Sequence, residues 1–512
     1  MEGHSHPFWT FLSSAVLRSV LAGVLFVGMM IWTAWMLLAS VWAEAERPDS
    51  EPGDKPVSWQ GKKDIAGGPA YQGSWRMNDS DFRFVDDPSV DVGEDGSIAL
   101  VWVDQSDKNV FFQLLEETNR MHPEEPVNVS SSPDIFSWLP RVVISPVNRD
   151  HIFVLWQEII FSGGSHGGEI LFSRSIDRGQ SFSEPLNLSN TPAGAGKGRL
   201  TFQRWDNGSL DLAVDREGTI YATWTEYEGS LQISRSIDDG KSFSEPVTVA
   251  GDDDSPARGP SIAITSDDII HMVWAVGEDR AGDIHYTHST GNGPGTQPLQ
   301  FESPQVVTKT GGHSEAPRIA GDSQGNLHLV YAESSDGPFQ RYHVYYSQLN
   351  TKDKRNIGDA RQDDYQRNSS DSIEKPEGRR TESDPNRENI LSTEPIRISE
   401  PHPGPIESAN FPELKLDDED HIYVIWELFP DFWNRPRGLG FSASFDNGRT
   451  FTEPLQVPHT GDPAEGHNGS RQGLLMNKLA VSPSGAISVV NSTFLEGESS
   501  NIRLIRGQAD PE

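Results

Sequence analysis

Two sets of charged residues recur at matching places in this chain, and together they have the chemistry to hold an anion and act on it. Arginines follow or approach a proline in Leu139-Pro140-Arg141, Arg258-Gly259-Pro260 and Ala316-Pro317-Arg318, and Phe411-Pro412-Glu413 puts a carboxylate in the same setting. A second set, Asp104, Glu158, Glu226, Glu333 and Glu427, follows an aromatic by one or two residues. A guanidinium presents a rigid fork of donors that matches a carboxylate or phosphate. A shielded carboxylate beside it can serve as acid, base or nucleophile. The same arginines can instead pair with glutamates of neighbouring repeats and hold the fold together. Both readings stand at this point.

The elements that must position these residues are strands. Short runs of alternating apolar residues end in an aromatic at 97–102, 151–156, 219–224, 269–274, 326–331 and 421–426, with a weaker copy at 485–490 and a further strand at 501–506. Their Val, Ile, Trp and Tyr content and period of two argue for β-structure throughout. The copies lie roughly 50 to 70 residues apart, the length of a four-stranded propeller blade, except for the 95 residues from 331 to 426, which hold a charged run. Glu-Pro pairs at 125–126, 184–185, 245–246, 394–395 and 453–454 mark the fourth strands. The last copy lacks one, and a segment within 71–85 is expected to supply it. The count favours seven blades, or six if the terminal strands share one.

Three turns repeat with higher fidelity: Ser175-x-Asp177-x-Gly179-x-Ser181-Phe182, Ser236-x-Asp238-x-Gly240-x-Ser242-Phe243 and Ser444-x-Asp446-x-Gly448-x-Thr450-Phe451. The Asp accepts bonds from the turn's own amides, the Gly takes a positive φ, and the Phe enters the core. This pattern resembles the Asp-box, or BNR repeat, of the sialidase superfamily and related β-propellers. The resemblance covers most of 86–508. It implies a face opposite these turns where arginines clamp a substrate carboxylate, a Tyr paired with a Glu is the nucleophile and an Asp is the acid/base. Arg141, Arg258 and Arg318 are the candidate clamp, with Glu158, Glu226 or Glu333 as carboxylate. The family's Arg-Ile-Pro element is absent here, and no Tyr matches the nucleophile by motif.

Other candidates carry less. The loop 429–437 holds Trp433, Arg435 and Arg437, an aromatic among arginines that suits a glycan or protein contact. Acidic runs at 252–254 and 417–420 read as turn formers. His285 and His288 alternate on a strand without a partner set, so no metal site and no cofactor is expected. The recurring tryptophans read as packing between blades.

The chain has 512 residues, no cysteine and a formal charge of −34. That charge disfavours nucleic acid as a partner. Residues 19–43 carry no charge and are long enough to span a bilayer. Trp32, Trp35 and Trp42 cluster near the far end, and Arg18 precedes the run. A single-pass anchor is expected, with residues 1–18 cytoplasmic and the propeller outside; a cleaved signal is the rival. Residues 44–70 read as a flexible tether, 71–512 as the propeller, and the charged run 351–391 as a disordered insertion at the fifth blade. The expected function is an extracytoplasmic recognition propeller binding a glycan or protein. A sialidase-like exo-glycosidase and an accessory subunit of a membrane complex are the alternatives.

Overall fold

A computed structural model describes residues 57–510, apart from 117–118, 160–167, 191–209, 253, 278–280, 291–297, 339, 351–390, 392, 403–405, 431–434, 462–466 and 469–476. The apolar run 19–43 and Trp433 lie outside these residues. Among the described residues no helix is long and apolar enough to cross a membrane.

The chain folds as an all-β propeller of seven four-stranded blades. Blade 1 runs Val85–Val92, Ile98–Asp104, Asn109–Leu115 and Met121–Asn128. Blades 2 to 6 follow in the same order over 137–187, 210–250, 257–306, 313–397 and 408–456. The aromatic-ended repeats are the second strands, and their Trp102, Trp156, Trp224, Trp274 and Trp426 are at most 2% exposed. They pack blade on blade, as expected.

Blade 7 corrects the expected closure. Its inner strand is broken into His467–Asn468 and Leu479–Val481, followed by Ala486–Leu495 and Ser499–Ala509. The outer strand is Val57–Gly68, which pairs antiparallel with Ser499–Ala509. The closing strand therefore comes from the stretch expected to be tether, not from 71–85. Residues 69–84 instead form a strap that runs on to blade 1 and contains a small hairpin, Tyr71–Gln72 against Phe82–Arg83. The run 351–390 falls between the third and fourth strands of blade 5, the place expected for the insertion.

The three repeated turns share one hydrogen-bond set. In blade 3 the Ser236 hydroxyl donates to Asp238 Oδ1 at 2.8 Å and accepts from the Gly240 amide at 2.9 Å. The Ser242 amide and hydroxyl donate to Asp238 at 2.9 and 2.7 Å. Each Phe crosses to the blade before it: Phe182 meets Phe112, Phe243 meets Phe172, and Phe451 meets Tyr346, with ring centroids 4.8–5.1 Å apart. The turns are thus seams between blades as well as hairpins. Against the desolvation that would raise it, the Ser242 and Ser236 donors hold the Asp238 carboxyl down at about 2. A depressed folded-state pKa contributes stability above the unfolded value near 4, which is lost as pH falls through about 2. Asp238→Asn should therefore be less stable than the parent at pH 6, with the gap closing between pH 4 and 2. Urea unfolding across that range measures it, and a gap independent of pH would refute the assignment.

Candidate functional site

Strand direction sorts the loops onto two faces. The repeated turns and the turns joining first to second strands share one, where Asp95 of blade 1 accepts from Arg178 of blade 2 at 3.0 Å. The starts of first strands and ends of second strands lie on the other, the mouth face. There Ser137 is level with Glu158, and Ser314 with Glu333.

A bulge organises the inner strands at this mouth. In blades 1, 2, 4, 5 and 6 the register slips once, opposite the second-strand aromatic. The slip is made by a residue of positive φ followed by proline: Asp87 (51°), Leu139 (56°), Gly259 (55°), Ala316 (52°) and Phe411 (53°). Four of these are not glycine, so the ring holds a conformation that costs roughly 1–3 kcal/mol for each such residue. Proline removes a donor that the disrupted ladder could not satisfy. The bulge re-aims the flanking side chains, a recurrent device beside functional sites.

Residues just after the bulge form one tier: Ser89, Arg141, Ser261, Arg318 and Glu413, with Asp211 and Lys478 at the same register in blades 3 and 7. Residues just before it form a second tier nearer the mouth: Asp86, Trp138, Arg258, Glu315 and Asn410. The three arginines expected as one clamp are therefore split, Arg141 and Arg318 below and Arg258 above. All three are buried. Arg318 Nε donates to Glu413 Oε2 of the next blade at 3.0 Å. Arg141 and Arg258 each donate from Nη1 to a backbone carbonyl, of Pro140 at 3.2 Å and of Ala257 at 2.9 Å. Burial, then the like charge of Arg318, pulls Arg141 down to about 10. The field at Arg141 also includes Asp211, Glu413 and Asp87, from three other blades. It stands where the blades converge.

The tier stitches the ring. Asp211 Oδ2 accepts the Ile262 amide at 3.1 Å, Ser261 accepts the Ile319 amide at 3.3 Å, and Lys478 pairs with Glu427. Asp211 and Lys478 were not singled out from sequence, because neither follows a proline.

The second-strand carboxylates divide by partner. Glu158 Oε1 accepts from Trp156 Nε1 at 3.0 Å and from Ser132 at 2.6 Å. Burial raises its pKa despite these bonds. Glu226 repeats the bond with Trp224 at 3.0 Å. Glu333, more exposed, accepts from Thr310 and Ser314 at 2.9 and 2.8 Å. The acidic runs behave as turns: Asp252 accepts the amides of Asp254 and Ser255, and Asp417 those of Glu419 and His421.

The strap adds an aromatic platform that sequence reading missed. Trp75 lies 5.4 Å from Trp138, 6.0 Å from Phe82 and 6.4 Å from Phe136 by ring centroids. Phe82, Phe84 and Phe494 continue the cluster. Arg435 lies 4.8 Å over Phe494 and donates to Gln72 on the strap at 2.7 Å. Arg437 stays in its own hairpin, its amide bonded to the Leu428 carbonyl. Asn78 ties the strap to blade 2, donating to the Ile159 carbonyl and accepting the Phe136 amide, both at 3.0 Å. Trp75 nonetheless remains 43% exposed, and Tyr71 and Met77 beside it are 44% and 45% exposed. A lone Trp ahead of the first repeat gives no pattern to detect.

One further cluster was not expected. His343, at the mouth-face end of the third strand of blade 5, meets Glu400 and His402, which follow the fourth strand. Burial, then the charge of Arg397, pulls His343 down to about 4, and burial also lowers His402. The Arg397 bond, together with nearby positive charge, keeps the Glu400 carboxyl below its usual range against partial desolvation.

No family model matches the chain, and no curated relative does. Solved structures overlap it at low identity. The polysaccharide lyase Uly1 is 10% identical with a TM-score of 0.48, over 88% of this chain and 100% of that one. A protein of unknown function from Dyadobacter fermentans is 11% identical with a TM-score of 0.45, over 88% and 100%. The intramolecular trans-sialidase from Ruminococcus gnavus is 10% identical with a TM-score of 0.45, over 75% and 98%. Overlap at that level transfers no site residue, activity or ligand to this chain.

Proposed function

We propose that this chain is a recognition propeller, anchored in a membrane by residues 19–43 and held outside the cytoplasm, that binds a glycan at the mouth face. Its three repeated turns are Asp-boxes in this reading and serve the fold. The observation that carries it is Trp75, left exposed on an aromatic platform while the mouth beneath is lined by Asp86, Trp138, Arg258, Glu315 and Asn410. An aromatic face supplies apolar contact for a sugar ring, and convergent polar side chains supply orientation. Recognition is favoured over hydrolysis because the best clamp candidate, Arg318, is already bonded to Glu413, and Glu158 and Glu226 hold tryptophan N–H groups.

A glycan array probed with the full-length chain in detergent tests this. Trp75→Ala should weaken binding to any glycan found by at least about tenfold, or 1.4 kcal/mol. Its effect on folding should be small, since the ring is half exposed. No binding across the array, or binding indifferent to Trp75, would end this reading. Turnover of a fluorogenic sialoside, abolished by Arg318→Ala, would put the exo-glycosidase alternative in its place.

A further inference from the structure

We propose that His343, Glu400 and His402 form a binding site for a divalent transition-metal ion of the zinc class, clamping the outer edge of blade 5. The ligand atoms of all three lie within 4.8 Å of one another. His343 Nδ1 and Glu400 Oε1 are 3.3 Å apart, close to the edge of a tetrahedron whose centre is about 2.1 Å from each ligand. The two imidazoles lie nearly parallel, with centroids 5.5 Å apart at 9°. Both ring nitrogens of His402 are shielded from solvent and neither makes a hydrogen bond of ordinary length. Shielded imidazole nitrogens without such a bond are costly unless something takes their lone pair.

The surroundings fit a metal-bound set. Arg397 donates to Glu400 Oε2 at 2.7 Å, which orients the carboxylate and leaves Oε1 toward His343. The backbone of Ser399 stands close to the His402 ring. Outer partners of this kind fix the orientation and tautomer of ligating imidazole and carboxylate groups. Two nitrogens and one oxygen select zinc, cobalt or copper class ions over calcium or magnesium, which take all-oxygen shells. Arg341 and Arg397 put positive charge nearby, so affinity rests on the imidazoles more than on net charge. Three protein ligands leave a fourth position for water or an outside ligand.

The site was invisible in the sequence because its members are separated by the charged run 351–390 and come together only when the fourth strand of blade 5 pairs with the third. Bound metal would fix the corner where the chain leaves the fourth strand of blade 5 on its way to blade 6.

The test uses the full-length chain, tag removed and stripped with chelator, titrated with Zn²⁺ by calorimetry and with Co²⁺ by visible absorption. One equivalent should bind, and Co²⁺ should give the visible bands of a low-symmetry four-coordinate site. His402→Ala and His343→Ala should each lose at least about tenfold in affinity and abolish those bands. Each variant is first checked for cooperative unfolding like the parent, and His402→Gln replaces His402→Ala if the latter fails that check. His4 and His6 could bind metal independently, so a His4→Ala/His6→Ala chain is titrated alongside and should match the parent. No saturable binding by the parent, undiminished binding by the His343 and His402 variants, or loss of the signal in the His4/His6 variant would overturn the proposal.

Discussion

Glu413→Gln should destabilise the propeller by about 3–5 kcal/mol, the range for breaking a buried ion pair from one side. Arg318 is 3% exposed and Glu413 4% exposed, and their 3.0 Å bond joins adjacent blades. Removing the carboxylate strands a guanidinium that already shares its surroundings with Arg141, a like charge. Lys415, 3.4 Å from the other oxygen of Glu413, loses its partner as well, although it is partly exposed and matters less. The paired substitution Arg318→Met/Glu413→Leu should recover most of the loss, because a buried ion pair contributes little net stability over an apolar pair of similar volume. Urea unfolding followed by tryptophan fluorescence measures both. A loss under about 1 kcal/mol for Glu413→Gln would mean water reaches this tier and Arg318 is available to an anion. That result would revive the clamp reading.

Gly179→Ala should cost about 2–5 kcal/mol through two effects that can be separated. The residue has φ +80°, which L side chains resist at about 1–2 kcal/mol. Its added Cβ would also meet Phe112 Cε1 of the preceding blade at 2.0 Å, an overlap costing about 1–3 kcal/mol. Gly325 offers the control. It has φ +76° with nothing within 4 Å of the added carbon, so Gly325→Ala should show the backbone cost alone. Phe112→Leu on the Gly179→Ala background should be less destabilising than the two single changes added together, since it relieves the overlap. Equal losses at Gly179 and Gly325 would mean the blade seam has slack and the aromatic simply moves aside.

Six of the seven blades were legible because each of their second strands carries its own signal, an alternating run ending in a large aromatic that must be buried, while the copy at 485–490 lacks that aromatic and left the count between six and seven. The repeated turns were legible for the same reason: their chemistry is local. What failed to show was anything set by pairing across the ring. The sequence Val57-Ser-Trp-Gln-Gly-Lys-Lys-Asp-Ile-Ala-Gly-Gly68 reads as linker, since an outermost strand buries little and needs no apolar alternation. The arginines looked equivalent because each follows or closely approaches a proline. Arg258 comes two residues before its proline and falls before the bulge, whereas Arg141 and Arg318 directly follow theirs and fall after it, and that difference decides the tier. Asp211 and Lys478 belong to the same tier without any proline. The His343, Glu400 and His402 set depends on strand pairing across a long insertion. Trp75 depends on where a strap is laid down.

The closing seam also sets an order of events as the chain is made. Ser58 and Gln508 are partners in it although they are 450 positions apart in the chain. Blades 1 to 6 are each built from contiguous chain and can be completed in turn as synthesis proceeds. The outer strand 57–68 has no such opportunity. It emerges before every blade and waits until Ser499–Ala509 appears, presenting an unpaired sheet edge throughout that interval. Lys62, Lys63 and Asp64 near its middle suit the wait, since charges on an edge discourage pairing with the wrong strand. The ring therefore has a built-in last step, and the interval before it is when the nascent propeller is most open to mispairing.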